Sequence, residues 1–326
     1  MYATDRNYAP ICGVSLYSLL TNNKSERIHA YIFKKNLEEY EEKFLTLENE
    51  FNVEITFIDI SEIEDICKEH QMPTFRGGYM AYARLFANKY VENKKVLYLD
   101  CDTLITGSIK ELWEMDMQGK PAAAVLDCIH EYANRFIYRP DKSNYINSGV
   151  ILIDYKIWNE NNCTKKIEDS LKLIDINKTA TYGDQDILNH AMGDEFYIIS
   201  PKYNAMYLTR YFDAEKTYIV LSKDRKSYYS RETLVNARDD IRIIHYSGRN
   251  YLRPWSINCS LSKKEIEQWD FYLKHSPFYD YKKMISVNEI KSALIRLYLN
   301  YNCRLLCYLH GKFKKFSLSN RLNKED

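Results

Sequence analysis

Val96-Leu97-Tyr98-Leu99 is a run of four apolar residues that stops at two carboxylates, Asp100 and Asp102, with Cys101 between them. A short apolar run rich in branched and aromatic side chains reads as a strand buried on both faces. Such strands belong to sheets covered by helices, and ligands bind just beyond their carboxyl ends. The run therefore predicts an α/β architecture and marks the sheet edge where its chemistry is done. Two hard oxygen ligands on one turn suit Mg²⁺ or Mn²⁺ bridging to phosphate oxygens. An aspartate pair also simply ends many strands, so the rest of the chain has to decide.

The flanking pattern agrees with α/β. Met1 to Tyr8 reads as a strand end entering a polar loop, and Pro10 begins a first helix that ends near Asn22. Residues 27–33 and 53–60 alternate as strands around an acid-rich helix over 37–51. Ser61 opens a short helix, and residues 79–90 read as another, carrying Arg84. A strand over 122–126 ends in Asp127, and the irregular stretch 128–145, with Arg135, Arg139 and Pro140, reads as a mobile loop. Further strands are expected at 150–153, 196–199, 218–221 and 241–246, with a helix over 167–174 and another after Gly183-Asp184-Gln185-Asp186. Ser262 with Glu265 three positions later marks a helix N-cap. Strands alternating with helices through the first 127 residues predict a mostly parallel, doubly wound sheet. One catalytic-sized domain is expected over 1–281, followed by a separate tail over 282–326.

Bulk properties exclude more than they assign. The 326 residues carry a net charge of +1, which gives no global case for nucleic acid. Eight cysteines occur without any C-x-x-C pair or zinc-ligand spacing, so reduced thiols in a cytoplasmic protein are expected. No signal-peptide pattern and no apolar run of membrane-spanning length is visible. The Gly-rich fingerprints of dinucleotide enzymes and P-loop NTPases are absent, as is the G-x-S-x-G of α/β-hydrolases.

Several polar clusters fall at strand ends: Ala3 to Tyr8, Asp100 and Asp102, Asp127, and His245. One sheet edge would gather them into a cleft, where His245 could complete a divalent-metal site with the two aspartates. Beyond it, Gly248 allows close backbone approach, and Arg249 and Arg253 are forked phosphate donors.

These stretches together resemble the family 8 retaining glycosyltransferases, in particular the bacterial lipopolysaccharide galactosyl- and glucosyltransferase type. The resemblance rests on Ala3-Thr4-Asp5-Arg6-Asn7-Tyr8, Tyr82-Ala83-Arg84-Leu85, Val96 to Asp102, Asn147-Ser148-Gly149-Val150, Asp184 to Asn189 and His245-Tyr246-Ser247-Gly248. It implies a GT-A domain, a Rossmann-like mixed, mostly parallel sheet flanked by helices. It implies a UDP-hexose donor, Mn²⁺ (or Mg²⁺) as cofactor, and a glycan or glycolipid acceptor. By position, Asp100, Asp102 and His245 would ligate the metal, and Ala3, Asp5, Asn7 and Tyr8 would line the uridine pocket. Arg84, Asp127, Asn147, Asp184 and Gln185 would surround the donor sugar, with Gly248 near the diphosphate. Gln185 and Asp184 are the expected catalytic pair: Gln185 is a poor nucleophile, which favours front-face attack by the acceptor hydroxyl over a covalent intermediate on Asp184.

Two departures stand out. Only Met1 and Tyr2 precede the Ala-x-Asp loop, so the first strand is either short here or continued upstream. The loop after His245 is longer than the family's, and Arg253 stands where the family carries a diphosphate-binding Lys, with Arg249 as the other candidate. They leave open a second reading, a nucleotide-sugar or glycan-binding protein that has lost turnover. The tail mixes Leu, Tyr and Phe with Arg296, Arg304, Lys312, Lys314, Lys315 and Arg321. This composition suits an anionic membrane surface, hence peripheral attachment at the inner face of the cell membrane; the alternative is a helix docked on the catalytic domain.

Overall fold

The computed structural model describes residues 1–74, 77–91, 94–129, 131, 144–173, 183–224 and 226–322. The strands that position the site are β1 (Tyr2–Asp5), β2 (Ile28–Lys35), β3 (Val53–Asp59), β4 (Lys95–Leu99), β5 (Thr103–Ile105), β6 (Ala122–Leu126), β7 (Ile146–Asp154), β8 (Phe196–Ile198) and β9 (Ile243–His245). The helices needed below are α1 (Ala9–Asn22), α2 (Ala83–Phe86), α3 (Asp184–Met192), α4 (Ala214–Leu221), α5 (Lys263–His275), α6 (Glu289–Asn300) and α7 (Arg304–Leu322).

Strands β1, β2 and β3 run parallel in that order, and β4-β7-β6-β8 form a second sheet. Met1 is the seam between them. Its amine donates to the Leu97 carbonyl at 2.8 Å, and the Leu99 amide donates to the Met1 carbonyl at 3.0 Å. The chain is thus tied to β4 at the residue before β1, while β1 itself pairs with β2. The sheet is mixed because β7 runs antiparallel to both β4 and β6, while β6 and β8 are parallel. An apolar run encodes burial, not direction, so the sequence pattern could not orient β7.

β4 has the two-faced burial its sequence implies. Leu97 and Leu99 enter the core built with α1, whereas Val96 and Tyr98 enter the core built with α3. The Ser262–Glu265 capping box at the start of α5 is formed in both directions.

Three local expectations need correction. Residues 218–221 are the end of helix α4, not a strand: Asp213 caps that helix by accepting from the Lys216 amide at 2.9 Å. The helix expected over 37–51 breaks at Thr46 into Glu38–Leu45 and Leu47–Glu50. The stretch 79–90 is three short turns, of which α2 carries Arg84. The loop expected over 128–145 lies mostly outside the described residues.

The two C-terminal helices pack on the body. Cys307 of α7 is fully buried, and Leu299 of α6 nearly so. Gly311 permits the close approach of α7 to α4, since a Cβ there would stand 3.1 Å from the Ile219 and Val220 carbonyl oxygens.

Candidate active site

The β4 strand ends in a tight turn. The Asp100 amide donates to the Gly149 carbonyl at 2.8 Å, and the Thr103 amide returns to the Asp100 carbonyl at 3.2 Å. After that turn the chain becomes β5, which pairs antiparallel with β9 in a register that sets Thr103 opposite His245. The Tyr246 amide then donates to the Asp102 carbonyl at 2.8 Å. Backbone pairing, not side-chain attraction, therefore brings a histidine 143 positions downstream beside the aspartates (245 − 102 = 143). His245 Nε2 lies 3.1 Å from Asp102 and 3.7 Å from Asp100.

The other ring nitrogen is spoken for. His245 Nδ1 is 2.8 Å from Asn204 Oδ1, which makes Nδ1 the donor there and leaves Nε2 as the ring atom that faces the carboxylates. Asn204 sits there because the adjacent Ala205 pairs with β9 through its own backbone. Its amide donates to Asn147 at 2.8 Å, and Asn147 donates onward to Asp127 at 2.7 Å and Gln185 at 3.1 Å. One chain of hydrogen bonds thus joins the triad to the Asp127–Gln185 side of the cleft.

Gln185 has no hydrogen-bonding capacity left on its amide. Its Oε1 accepts from Asn147 and from the Ser148 amide, and its Nε2 donates to Asp127 and Tyr145. Asp184 is gripped by Arg84 at 3.1 Å and by the Ser148 hydroxyl at 3.0 Å. Burial pushes its carboxyl up to about 6, against the pull of Arg84. Arg84, itself buried, also binds Asp100 at 2.8 Å and stacks over Tyr98 with its guanidinium 4.2 Å from the ring. Burial would lower the His245 pKa, but the adjacent Asp102 and Asp100 carboxylates outweigh it and hold it above the ordinary histidine range.

The residues fit a divalent cation. Asp100, Asp102 and His245 each offer one ligand atom, and these atoms lie within 4.8 Å of one another. Two carboxylate oxygens and an imidazole are a donor set for Mg²⁺- or Mn²⁺-like ions. The space is kept by Gly149, where a Cβ would stand 2.3 Å from the His245 ring and 2.8 Å from the Asp100 carboxylate.

The triad opens on a cleft of about 1210 Å³. Ala3, Asp5, Asn7 and Tyr8 line one end, and Arg84, Asp127, Asn147, Asp184 and Gln185 line the floor. Asp5 accepts from the Asn7 and Tyr8 amides at 2.9 and 3.0 Å, which fixes the loop leading into α1. Gly248 lies on the wall at a φ of +105°, a backbone state that excludes most other residues. The two arginines differ. Arg249 is exposed on the cleft wall, whereas Arg253 is buried behind it, bonding Asp102 at 3.3 Å and Tyr8.

Sequence reasoning missed Asn204, Tyr145 and the C-terminal wall of the cleft. Asn204 belongs to no spaced motif, and Tyr145 acts through Asp186 and Gln185. The model of the family described as "Glycosyl transferase family 8" matches residues 1–259. The chain is 29% identical over 267 residues to General stress protein A of Bacillus subtilis, covering 78% of this chain and 86% of that one. It is 29% identical over 298 residues to a lipopolysaccharide 1,2-glucosyltransferase of Escherichia coli, covering 89% and 82%. In structure it resembles the galactosyltransferase LgtC, solved with donor and acceptor sugar analogs, at a TM-score of 0.65 and 23% identity over 84% of this chain and 95% of that chain. The mixed sheet with its helices is the GT-A fold, and the chain belongs to glycosyl transferase family 8.

Proposed function

We propose that this protein is a Mn²⁺-dependent retaining hexosyltransferase, moving galactose or glucose from a UDP-sugar to a lipid-linked or cell-surface glycan, as in lipopolysaccharide assembly. The observation that carries the reading is the Asp100–Asp102–His245 triad, which shares one cleft with the hydrogen-bonded Asp127–Asn147–Gln185 floor. The relatives' names, glucosyl- and galactosyltransferases of lipopolysaccharide among them, support the substrate class.

Asp100, Asp102 and His245 would hold the cation, which would supply positive charge against the diphosphate leaving group. Arg253 stands beside Asp102 and adds a buried positive charge there; Arg249 meets the diphosphate from the rim. The polar end formed by Ala3, Asp5, Asn7 and Tyr8 receives uridine. Asp127, Asn147 and Arg84 orient the donor hexose. Gln185 is held by four hydrogen bonds and both lone pairs of Oε1 are occupied, so it is a poor nucleophile. Asp184 is committed to Arg84 and Ser148. Both facts favour attack by the acceptor hydroxyl on the leaving-group face, with these groups steadying an oxocarbenium-like sugar.

No helix among the described residues is long and apolar enough to cross a membrane. Helices α6 and α7 turn Ile290, Leu294, Leu297, Leu305 and Phe316 to solvent beside Arg304, Lys312 and Lys315. This suits peripheral attachment to an anionic inner membrane face. The test of the function is UDP release from UDP-galactose, UDP-glucose and related donors, with and without Mn²⁺. Release with one hexose that requires the metal supports the transferase; none with any donor favours a binding protein that has lost turnover.

A further inference from the structure

The cleft is larger than a nucleotide-sugar requires, and its outer wall is unlike its floor. Ligand sites for molecules of that size occupy about 300–1,000 Å³, against about 1210 Å³ here. The excess is walled by Ile295 of α6 and by Leu306, Leu309 and Phe313 of α7. Leu306, Leu309 and Phe313 recur at three- and four-residue spacing, so they form one stripe on one helix face. They line the cleft and yet remain 41%, 52% and 68% exposed. None can hydrogen-bond a sugar hydroxyl.

The inner edge of this wall is polar. His310 Nδ1 is 2.8 Å from the Tyr298 hydroxyl, and its ring lies near Tyr207. Lys314 Nζ donates to the Cys128 carbonyl at 3.3 Å and sits 5.3 Å from the Tyr207 ring centre. Cys128 follows Asp127, the carboxylate that holds Gln185 and Asn147. The tail is therefore anchored one residue from the groups expected to surround the reacting sugar. A hydrocarbon slot, a polar rim and a sugar floor follow one another along a single cavity.

We infer that the acceptor is an amphiphilic glycoside whose hydrocarbon chain lies on Ile295, Leu306, Leu309 and Phe313, with its sugar turned inward past His310 and Lys314. This rests on the transferase reading and names the acceptor's chemistry. A soluble oligosaccharide would leave the stripe in water, whereas an alkyl chain removes it from water at roughly 25 cal/mol per Å² buried.

The experiment compares octyl with methyl β-galactopyranoside and β-glucopyranoside, below micelle-forming concentration, by dissociation constant on the full chain. The octyl compound of at least one sugar binds about tenfold or more tightly than its methyl counterpart. The double variant Leu309→Ser, Phe313→Ser, at half-exposed positions the fold tolerates, loses most of that preference, with an unchanged melting temperature showing that it is folded. Equal binding of octyl and methyl compounds, or a preference retained by the double variant, overturns the inference. Mn²⁺-dependent UDP-hexose hydrolysis is measured on the unaltered chain in parallel. Hydrolysis without an octyl preference sinks the slot and leaves the transferase; no hydrolysis with any hexose sinks the transferase reading itself, and the acceptor with it.

Discussion

Asn204 Oδ1 lies 2.8 Å from Nδ1 of His245, and this contact decides what His245 can do. It fixes the ring tautomer and aims Nε2 at Asp100 and Asp102. Replacing Asn204 with Ala leaves the imidazole free to turn Nε2 away from the two carboxylates. Mn²⁺ affinity, read by electron paramagnetic resonance of free ion, is expected to fall about 10- to 100-fold. A dissociation constant within twofold of the unaltered protein would mean the contact is only structural.

Gly149 and Gly248 separate two reasons for glycine. At Gly149 the added methyl of Ala would collide with His245 and Asp100, so Gly149→Ala is expected to lose metal binding and about 1–3 kcal/mol of stability. At Gly248 an added Cβ would meet nothing within 4 Å among the described residues, and the constraint is the φ of +105°. Gly248→Ala should cost about 1 kcal/mol or more through backbone strain while Mn²⁺ binding persists. Thermal melts with a parallel Mn²⁺ titration distinguish the two, and loss of metal binding in both would reject the assignment.

The buried Asp184 carboxyl makes the metal-free protein less stable as pH rises. Burial raises its pKa to about 6 in the folded protein, from 3.8 for a free aspartate. Folding thus favours the protonated form, so the contribution is full below pH 3.8 and is lost as pH climbs through about 6. The difference of about two units corresponds to about 3 kcal/mol. Urea unfolding in chelator should show the stability of the unaltered protein, relative to Asp184→Asn, declining by roughly that amount between pH 4 and 7. A difference that does not vary with pH would contradict it.

How much of this was legible beforehand depends on whether a residue's place is set locally. β4 and its carboxylates could be read because burial on both faces and an abrupt polar stop are local patterns. His245 was legible as a strand-end polar residue, and the family motifs supplied its partners. Asn204 was not, because it is aligned by Ala205 pairing with β9, a contact between distant segments that leaves no spacing in the chain. Helix α4 was misread because Tyr218 to Leu221 are β-prone in composition, while the helix is set upstream by the Asp213 cap. The tail's basic-aromatic character was plain, yet its inward wall was not: only packing through Cys307 and Gly311 tells which side of α7 meets the cleft.

The two arginines after Gly248 answer differently to salt. Arg253 is buried against Asp102, whereas Arg249 is exposed, and solvent screening weakens only the exposed charge. Arg253→Ala is expected to weaken UDP binding in Mn²⁺ about tenfold or more at all ionic strengths, since it also loosens Asp102. Arg249→Ala should weaken it about threefold or less, and only at low salt. Titration calorimetry at two ionic strengths decides, and a larger, salt-independent loss at Arg249 would reverse the roles.

Membrane attachment can be tested without removing α6 and α7, whose buried Leu299 and Cys307 make truncation a packing defect. The exposed Arg304, Lys312 and Lys315 are each worth about 1 kcal/mol near an anionic surface. Changing all three to Ala should therefore lower sedimentation with phosphatidylglycerol vesicles by about 100-fold in partition coefficient. Binding of the unaltered chain should weaken with salt and be small on phosphatidylcholine alone. Leu294→Ser with Phe316→Ser should reduce what binding survives salt, because that part comes from the apolar side chains. If the charge variant and its parent partition alike onto anionic vesicles, the tail's basic face serves something other than a membrane.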